Sequence, residues 1–340
     1  MRIALGAERF VKRFAGDASA ARNFRHAAGA GNDTYFVDSV LDMVVETDAV
    51  ALTGGIDKVV SSLTSWTLSA NVENLTLAEG TATEANGNAL ANVLIGNSNF
   101  NVLNGYGGND TLDGGGGIDM MSGGFGNDTY YVDNAQDIVI EDEVNPLTGG
   151  IDRVISSVSW TLGANVERLN LAEAGAIDGT GNTLANVLNG NSSANVLSGL
   201  AGNDVLRGFA GDDTLIGGLG KDTLVGGTGA DTFQFTQLAE SAPGLLARDI
   251  ITDFQHGLDK IDVSAIDAKS GTPAINDAFN FIGAATFHHH AGELRVVTIS
   301  SNGINLDTRV VVADVNGDGA GDFQIQLTGL VTLTAQDFIL

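Results

Sequence analysis

The chain has 340 residues and a formal net charge of -26, with 16 Lys and Arg against 42 Asp and Glu. Residues 1–25 carry a small basic excess, so the acidic excess lies in the rest of the chain, which disfavours nucleic acid or anionic membranes as partners. The lack of cysteine excludes disulfides and thiolate metal sites. No apolar run approaches transmembrane length, so no membrane insertion is expected.

Residues 1–28 are basic and alanine-rich, and they lack the continuous apolar segment of a secretory signal. We expect a poorly ordered tail there. A long internal repeat follows, in which NDTYFVDSVLDMVVE at residues 32–46 recurs as NDTYYVDNAQDIVIE at residues 127–141. Each copy is a strand-rich spacer that leads into a glycine-rich array. The sequence therefore predicts two spacer-plus-array units, at residues 29–122 and 123–234.

The two arrays consist of nine-residue repeats, or nonads, that open on glycine, carry Asp or Asn sixth and a large apolar residue eighth. Successive glycines suit a turn, and the last three residues suit a short strand with its middle side chain inward. This spacing is the signature of a calcium-binding parallel β-roll. A flexible linker is disfavoured, because a linker has no need of a fixed apolar phase. The frames open at Gly87, Gly96, Gly105, Gly114 and Gly123, and at Gly181, Gly190, Gly199, Gly208, Gly217 and Gly226.

Two nonads would form one coil, so residues i and i+18 stack about 4.8 Å apart. Stacked aspartates such as Asp204 and Asp222 would repel by roughly 3 kcal/mol at an effective dielectric near 20. Calcium would relieve this repulsion, since it accepts six to eight oxygens in loose geometry, whereas magnesium demands an octahedron. We therefore predict several calcium ions. The predicted ligand-bearing residues of the arrays are Asp110, Asp119, Asp128, Asp204, Asp213, Asp222 and Asp231, with Gly105, Gly108, Gly114, Gly117, Gly123, Gly126, Gly199, Gly202, Gly208, Gly211, Gly217, Gly220, Gly226 and Gly229.

Asparagine replaces aspartate as the sixth residue in the first two nonads of each array, at Asn92, Asn101, Asn186 and Asn195. Neutral amides can stack as hydrogen-bonded ladders without repulsion. Our hypothesis is that these coils form without metal and that the aspartate coils propagate from them.

The nine-residue phase stops after Phe235, and residues 235–340 alternate apolar and polar in short runs. We predict an antiparallel β-rich cap, because a solenoid needs a capped end. The predicted fold is thus all-β, a right-handed parallel β-roll (a solenoid of nonapeptide repeats) with a C-terminal cap.

Two further motifs lie in residues 235–340. Asp314, Asn316, Asp318 and Asp322 fall in a loop that begins like an EF-hand, D-x-N-x-D-G, but has Ile325 at the twelfth position. A short calcium loop and an ordinary Asx turn are equally compatible with this pattern. His288, His289 and His290 suggest zinc, but neighbouring residues of a strand face opposite ways and no spaced partner accompanies them.

Catalytic motifs are absent from the sequence: it contains neither H-E-x-x-H nor G-x-S-x-G, and no cysteine nucleophile. We therefore do not expect an enzyme. A glycosidase-like carboxylate pair remains an alternative, although the carboxylates are better explained as metal ligands.

The nonads resemble those of the repeats-in-toxin (RTX) family over residues 29–234. The end of the chain resembles the C-terminal domain of serralysin-type metalloproteases, as in GADTFQF (residues 229–235), DIITDFQHGLDKIDVSAID (249–267), ADVNGDGAGDFQIQLTG (313–329) and LTAQDFIL (333–340). The resemblance implies a β-roll joined to a β-rich cap. It also implies secretion by a type I exporter through an uncleaved C-terminal signal, matched by Asp337–Leu340. The zinc protease domain of that family has no counterpart in the sequence.

Three functions fit these observations. The first is a secreted, extracellular calcium-binding module that folds when it meets calcium after type I export. The second is the C-terminal part of a larger secreted hydrolase whose catalytic domain is separate or lost. The third is a calcium-dependent surface or matrix protein.

Overall fold

The computed structural model describes residues 31–47, 55–142, 149–270, 276–299 and 308–340, together with the backbone of 9–10 and 25–28. The predicted tail, residues 1–28, lies otherwise outside the described residues. The chain divides into two compact units: unit 1 is Met1–Ile155 with Gly163–Asn165, and unit 2 is Ser156–Leu162 with Val166–Leu340. The boundaries predicted after residues 122 and 234 stay predictions.

Parallel strands build unit 1. One sheet pairs its strands in the order β1-β3-β5-β7-β9-β11-β13, a second in the order β6-β8-β10-β12-β14, and β2 pairs with β4. The strands are β1 (Arg9–Phe10), β2 (Arg25–Ala28), β3 (Asp33–Val37), β4 (Met43–Glu46), β5 (Lys58–Ser61), β6 (Ser65–Thr67), β7 (Asn74–Leu77), β8 (Glu84–Asn86), β9 (Val93–Ile95), β10 (Val102–Gly107), β11 (Thr111–Asp113), β12 (Met120–Phe125), β13 (Thr129–Val132) and β14 (Ile138–Ile140). In a further strand, β15 (Arg153–Ser156), the first three residues belong to unit 1 and Ser156 belongs to unit 2.

Unit 2 has the same plan. Its parallel ladders run β17-β19-β21-β23-β25-β30 and β16-β18-β20-β22-β24-β26-β31. The strands are β16 (Trp160–Thr161), β17 (Arg168–Leu171), β18 (Gly179–Thr180), β19 (Val187–Asn189), β20 (Val196–Ser198), β21 (Val205–Ala210), β22 (Thr214–Ile216), β23 (Thr223–Thr228), β24 (Thr232–Gln234), β25 (Asp249–Ile251), β26 (Lys260–Asp262), β27 (Asn280–Phe281), β28 (Glu293–Ile299), β29 (Thr308–Asp314), β30 (Phe323–Leu327) and β31 (Phe338–Ile339).

The register of the ladders confirms the eighteen-residue coil. Leu112 pairs with Leu94 on one side and with Tyr130 on the other, each eighteen residues away. The eighth residue of every nonad is fully buried, so each nonad contributes one large side chain to a narrow core. These core residues are Leu94, Leu103, Leu112, Met121, Tyr130, Leu188, Leu197, Leu206, Leu215, Leu224 and Phe233.

The C-terminal region combines two strand arrangements. Strands β28, β29 and β30 are antiparallel, which confirms the predicted all-β fold with antiparallel strands at this end. Strands β25, β26 and β31 continue the parallel ladders past the last nonad, so coil stacking outlasts the nine-residue phase. The described residues include two 3-10 helices, Leu238–Ser241 and Ala335–Asp337, and within the same residues no helix has the length and apolarity to cross a bilayer.

Candidate metal centre

The sixth-position aspartates of both arrays point into the solenoid, where each is at most 1% exposed. In every case Oδ1 accepts the backbone N–H of the residue eighteen positions earlier, at 2.6 to 3.0 Å. For example, Asp204 N–H donates to Asp222 Oδ1 at 2.7 Å. One carboxylate oxygen thus ties each coil to the one before it, and the sequence places that contact once per nonad.

The second carboxylate oxygen of each of these residues has no such partner. Oδ2 is buried and accepts no hydrogen bond in Asp110, Asp119, Asp128, Asp204, Asp213, Asp222 and Asp231. None of the seven forms an ion pair with a described Lys, Arg or His. A buried carboxylate oxygen without a partner is costly, so these oxygens require either a proton or a cation.

The first glycine of a nonad lies beside this free oxygen. A Cβ built on Gly105, Gly199 or Gly208 would fall within 3.0 Å of both Oδ2 of its own aspartate and the carbonyl oxygen of the glycine eighteen residues later. The carbonyl oxygen and the carboxylate oxygen therefore share one small space that only glycine leaves open. The glycine at the fourth position of a nonad has a different role. Its φ is positive in all seven nonads for which such a glycine was predicted to lie at the metal site, for example +131° at Gly202 and +107° at Gly211.

Two glycines of the first array allow this close approach to be tested. Gly105→Ala should lower the free energy of unfolding of the calcium-loaded protein by roughly 1–3 kcal/mol, because the new methyl group would displace Asp110. Gly116→Ala is the matched control, since a Cβ there meets nothing within 4 Å and φ is not positive. We expect it to be neutral or slightly stabilising. Urea denaturation of the two variants measures the difference, and equal stabilities would refute the close-approach argument.

Burial, more than mutual repulsion, sets the electrostatics of the arrays. It is the largest cause of the raised pKa of each of the seven sixth-position aspartates, and for Asp110, Asp204 and Asp213 the charge of the stacked aspartate is a smaller cause. The predicted repulsion between stacked aspartates is therefore present, as a smaller contribution than burial, and the backbone N–H bound to Oδ1 partly offsets both. The pKa rises to about 7 for Asp110, Asp204 and Asp213, and to about 6 for Asp119, Asp128, Asp222 and Asp231.

In the asparagine coils, the side chain at the sixth position has hydrogen-bond partners for its amide oxygen as well as its amide nitrogen. Asn186 Oδ1 accepts the N–H of Asn182 at 2.7 Å, and its Nδ2 donates to the carbonyl oxygens of Val166 and Glu167. Asn101 has the equivalent contacts with Asn97 and Ala82. The four sixth-position amides do not form a ladder with one another: they bond backbone groups, and Asn92 Nδ2 also donates to the Asn88 side chain at 3.3 Å. The hypothesis that these coils form without metal stays a prediction.

The structure adds four aspartates that the sequence analysis missed: three do not keep the eighteen-residue spacing, and Asp137 keeps it but belongs to a frame without glycine. Asp137, Asp152, Asp249 and Asp259 accept the backbone N–H of Asp119, Asp128, Asp222 and Asp231, respectively. Each stands two residues before a core or strand residue, as in D-I-I and D-K-I. That short D-x-apolar pattern, read without the glycines, would have found them.

The Asp314–Asp322 loop closes on itself. Asp314 Oδ1 and Oδ2 accept the N–H groups of Gly317 and Gly319, and Asp322 Oδ2 accepts that of Val315. These bonds are those of an Asx-type turn, so the structure gives Asp314, Asn316, Asp318 and Asp322 a local role, and metal binding there stays a prediction.

Two of the three adjacent histidines have separate hydrogen-bond partners, and the ring of His290 lies 6.5 Å from that of His288. His288 Nδ1 lies 2.7 Å from Glu293 Oε1, and His289 Nδ1 lies 3.0 Å from the carbonyl oxygen of Asp318. The two imidazoles therefore bind neighbouring parts of the C-terminal region and do not face a common point.

The donor set of the arrays fits calcium. Buried carboxylate oxygens and backbone carbonyl oxygens are hard ligands, and the free Oδ2 atoms are the ones that could bind such a cation. The sequence model of the protein family described as peptidase M10 serralysin C terminal matches residues 49–340. The chain belongs to the peptidase M10 serralysin C-terminal family. The match spans both arrays and the cap, so the resemblance seen in the cap extends over most of the chain.

Solved structures also resemble this serralysin C-terminal chain. Two subunits of the mannuronan C5-epimerase from Azotobacter vinelandii match it with 26% and 29% identity, each at a TM-score of 0.34. They cover 46% and 49% of this chain, and the matches span 78% and 94% of theirs. The match to the extracellular lipase LipA from Serratia marcescens covers 80% of this chain and 40% of the lipase chain, at 17% identity and a TM-score of 0.29.

Proposed function

We propose that this protein is a secreted, calcium-binding β-roll module that folds when it meets extracellular calcium. The observation that carries the proposal is the row of buried Asp Oδ2 atoms without hydrogen-bond partners. Bound calcium would neutralise these oxygens and link successive coils. The residues that would hold it are the seven array aspartates, with carbonyl oxygens of the glycine turns.

The energetic scale supports coupling between calcium binding and folding. A pKa raised by two to three units corresponds to roughly 3–4 kcal/mol for each ionised carboxylate. The four aspartates of the second array together would cost on the order of 10 kcal/mol, which is comparable to the stability of a whole domain. Calcium at the 10⁻⁴–10⁻³ M that extracellular modules typically require would offset this cost.

Export is the second half of the proposal. In a calcium-poor cytosol the acidic, glycine-rich chain would stay expanded and could be threaded through a type I exporter. In the folded protein β31 pairs with β26, and Asp337 is fully buried and accepts the N–H of Gly257 at 2.9 Å. The proposed signal at Asp337–Leu340 would therefore be fully accessible before folding, whereas after folding Asp337 and Phe338 are buried and Ile339 stays exposed.

The proposed role is not catalytic. The array carboxylates are fixed by the backbone N–H groups of neighbouring coils, an arrangement that suits cation binding. The family to which the chain belongs supports the second hypothesis as an alternative, in which this region serves a larger secreted hydrolase.

A calcium titration tests the proposal. Calorimetry and far-ultraviolet circular dichroism, followed on the same calcium-free sample, should show heat release and gain of β structure over the same range, at about 10⁻⁴–10⁻³ M. Magnesium at equal concentration is the control and should produce neither change. If no heat accompanies calcium addition, or if magnesium acts equally well, the proposed function is refuted.

A further inference from the structure

A second kind of carboxylate cluster lies at the end of the first array. Asp128, Glu141 and Asp152, which we call the spacer triad, each offer an oxygen within 4.8 Å of those of the other two. Their exposed fractions are 1%, 6% and 2%. The triad joins the sixth residue of the last nonad of this array to two residues of the following spacer.

The position of Glu141 explains why the triad forms. Strand β14 continues the β12 ladder, with Ser122 paired to Ile140, so Glu141 stacks next after Gly123 in the same column. That column holds the first glycine of each preceding coil. A carboxylate therefore enters the space beside the aspartate that glycine elsewhere leaves open, and D-I-V-I-E replaces the D-x-apolar-x-G of a nonad.

Tyr130 fixes the glutamate. Its hydroxyl group donates to Glu141 Oε1 and accepts the backbone N–H of Gly123 at 2.7 Å. Tyr130 is itself fully buried, so both its ring and its hydroxyl group are held in one place. These contacts orient the Glu141 carboxylate toward the other two members of the triad, Asp128 and Asp152.

Asp128 supplies the observation that points to a ligand. Its Oδ1 accepts the N–H of Asp110, whereas its buried Oδ2 has no hydrogen-bond partner. A Cβ built on Gly123 would lie within 3.0 Å of both Asp128 Oδ2 and the Tyr130 hydroxyl oxygen. The free oxygen therefore faces the Tyr130–Glu141 pair across a gap lined by oxygens.

The first spacer contains the same arrangement. Asp33, Glu46 and Asp57 also lie with carboxylate oxygens within 4.8 Å of one another, and all three are buried. Asp33 N–H donates to Asp57 Oδ1 at 2.8 Å, as Asp128 N–H donates to Asp152 Oδ1 at 2.7 Å. The Tyr35 hydroxyl group donates to Glu46 Oε2 at 3.2 Å. The internal repeat thus reproduces the cluster and its tyrosine.

We propose that each spacer closes a calcium site of its own, built from Asp128, Glu141 and Asp152 in one copy and from Asp33, Glu46 and Asp57 in the other. These sites differ from those of the nonads because a spacer glutamate replaces the first-glycine position. Tyr130 and Tyr35 are positioning residues. The inference extends the proposed calcium-binding function and depends on it.

Glu141→Gln tests the site, because the amide oxygen can still accept from Tyr130 while the charge is lost. Asp142→Asn is the matched control, since Asp142 is the exposed neighbouring carboxylate. Calcium bound per full-length chain is measured by elemental analysis after equilibration in buffered calcium. We expect Glu141→Gln to lose one ion per chain and the double variant with Glu46→Gln to lose two. Asp142→Asn should lose none.

The outcomes separate this inference from the proposed function. If the wild-type chain binds no calcium, the proposed function fails. If it binds calcium and Glu141→Gln binds the same amount, the triad holds a shared proton and the spacer site is refuted.

Tyr130→Phe provides a second variant in case Glu141→Gln does not fold. It keeps all three carboxylates and removes the hydroxyl group that orients Glu141, so calcium affinity at this site should fall by roughly 10-fold or more. A positioning role predicts that stability falls with calcium present and changes little without it. An equal loss under both conditions would indicate a purely structural hydroxyl group and would overturn the positioning role.

Discussion

Removal of calcium at neutral pH should unfold the aspartate coils and expand the chain about two- to threefold in radius of gyration. The physical reason is the set of buried Oδ2 atoms, which become uncompensated charges when calcium leaves. One buried apolar side chain per nonad contributes roughly 1.5–3 kcal/mol, which cannot offset both the conformational entropy of nine ordered residues and a cost on the order of 10 kcal/mol for the second array. The effect is therefore comparable to the whole stability of the fold.

Hydrogen exchange with mass spectrometry measures this prediction segment by segment. After chelation, amides of residues 199–235 should lose protection first, because their aspartates depend on the ion. Amides of residues 181–198 should keep more protection, since Asn186 and Asn195 satisfy the same position with amide hydrogen bonds. Re-addition of calcium is the control and should restore the pattern. Unchanged protection after chelation would contradict the role assigned to the aspartates.

Acidification should restore structure to the calcium-free protein. Burial raises the pKa of Asp204 and Asp213 to about 7 and that of Asp222 and Asp231 to about 6, from the ordinary aspartate value of 3.8. Between about pH 4 and 7 the folded chain therefore binds more protons than the unfolded chain. Its stability without calcium accordingly rises as the pH falls through this range, and is lost as the pH rises.

Circular dichroism of resin-treated, calcium-free protein between pH 7.5 and 4.5 measures this effect. We expect β structure to appear as the pH falls, with a midpoint near 6. The calcium-loaded protein is the control and should respond in the opposite sense, because protons compete with calcium for the same oxygens. Dilute samples are needed, since the sequence pI is about 4.2. A calcium-free spectrum that does not change with pH would refute the assignment of buried, protonatable carboxylates.

Local rules explain the parts of the fold that were predictable. The eighth-residue side chains, such as Leu206 and Leu224, were predicted to be buried because a short strand has a fixed two-residue alternation. The eighteen-residue register followed from the same repeat. In both cases the residues that interact are related by a constant spacing along the chain.

Three of the four missed aspartates depend on unequal spacings. Asp152 lies 24 residues after Asp128, and Asp249 lies 27 after Asp222, yet each occupies the next place in its column. The spacer loops vary in length while the strands stay stacked. Counting nine residues per nonad therefore does not locate the next aspartate in the stacked column. The direction of Oδ1 toward a backbone N–H was equally invisible in the sequence, as was the burial that raises the pKa of these aspartates more than repulsion does.

The sequence by itself determined the all-β solenoid, the inward apolar residues and the glycines at turns, because a strict nine-residue period imposes the same backbone path on every coil. Only the tertiary structure decided which oxygens are satisfied and which are left free. It also decided that Glu141 enters the glycine column beside Asp128. Those outcomes depend on distances between coils, and the chemistry of a buried carboxylate is set by the atoms that surround it.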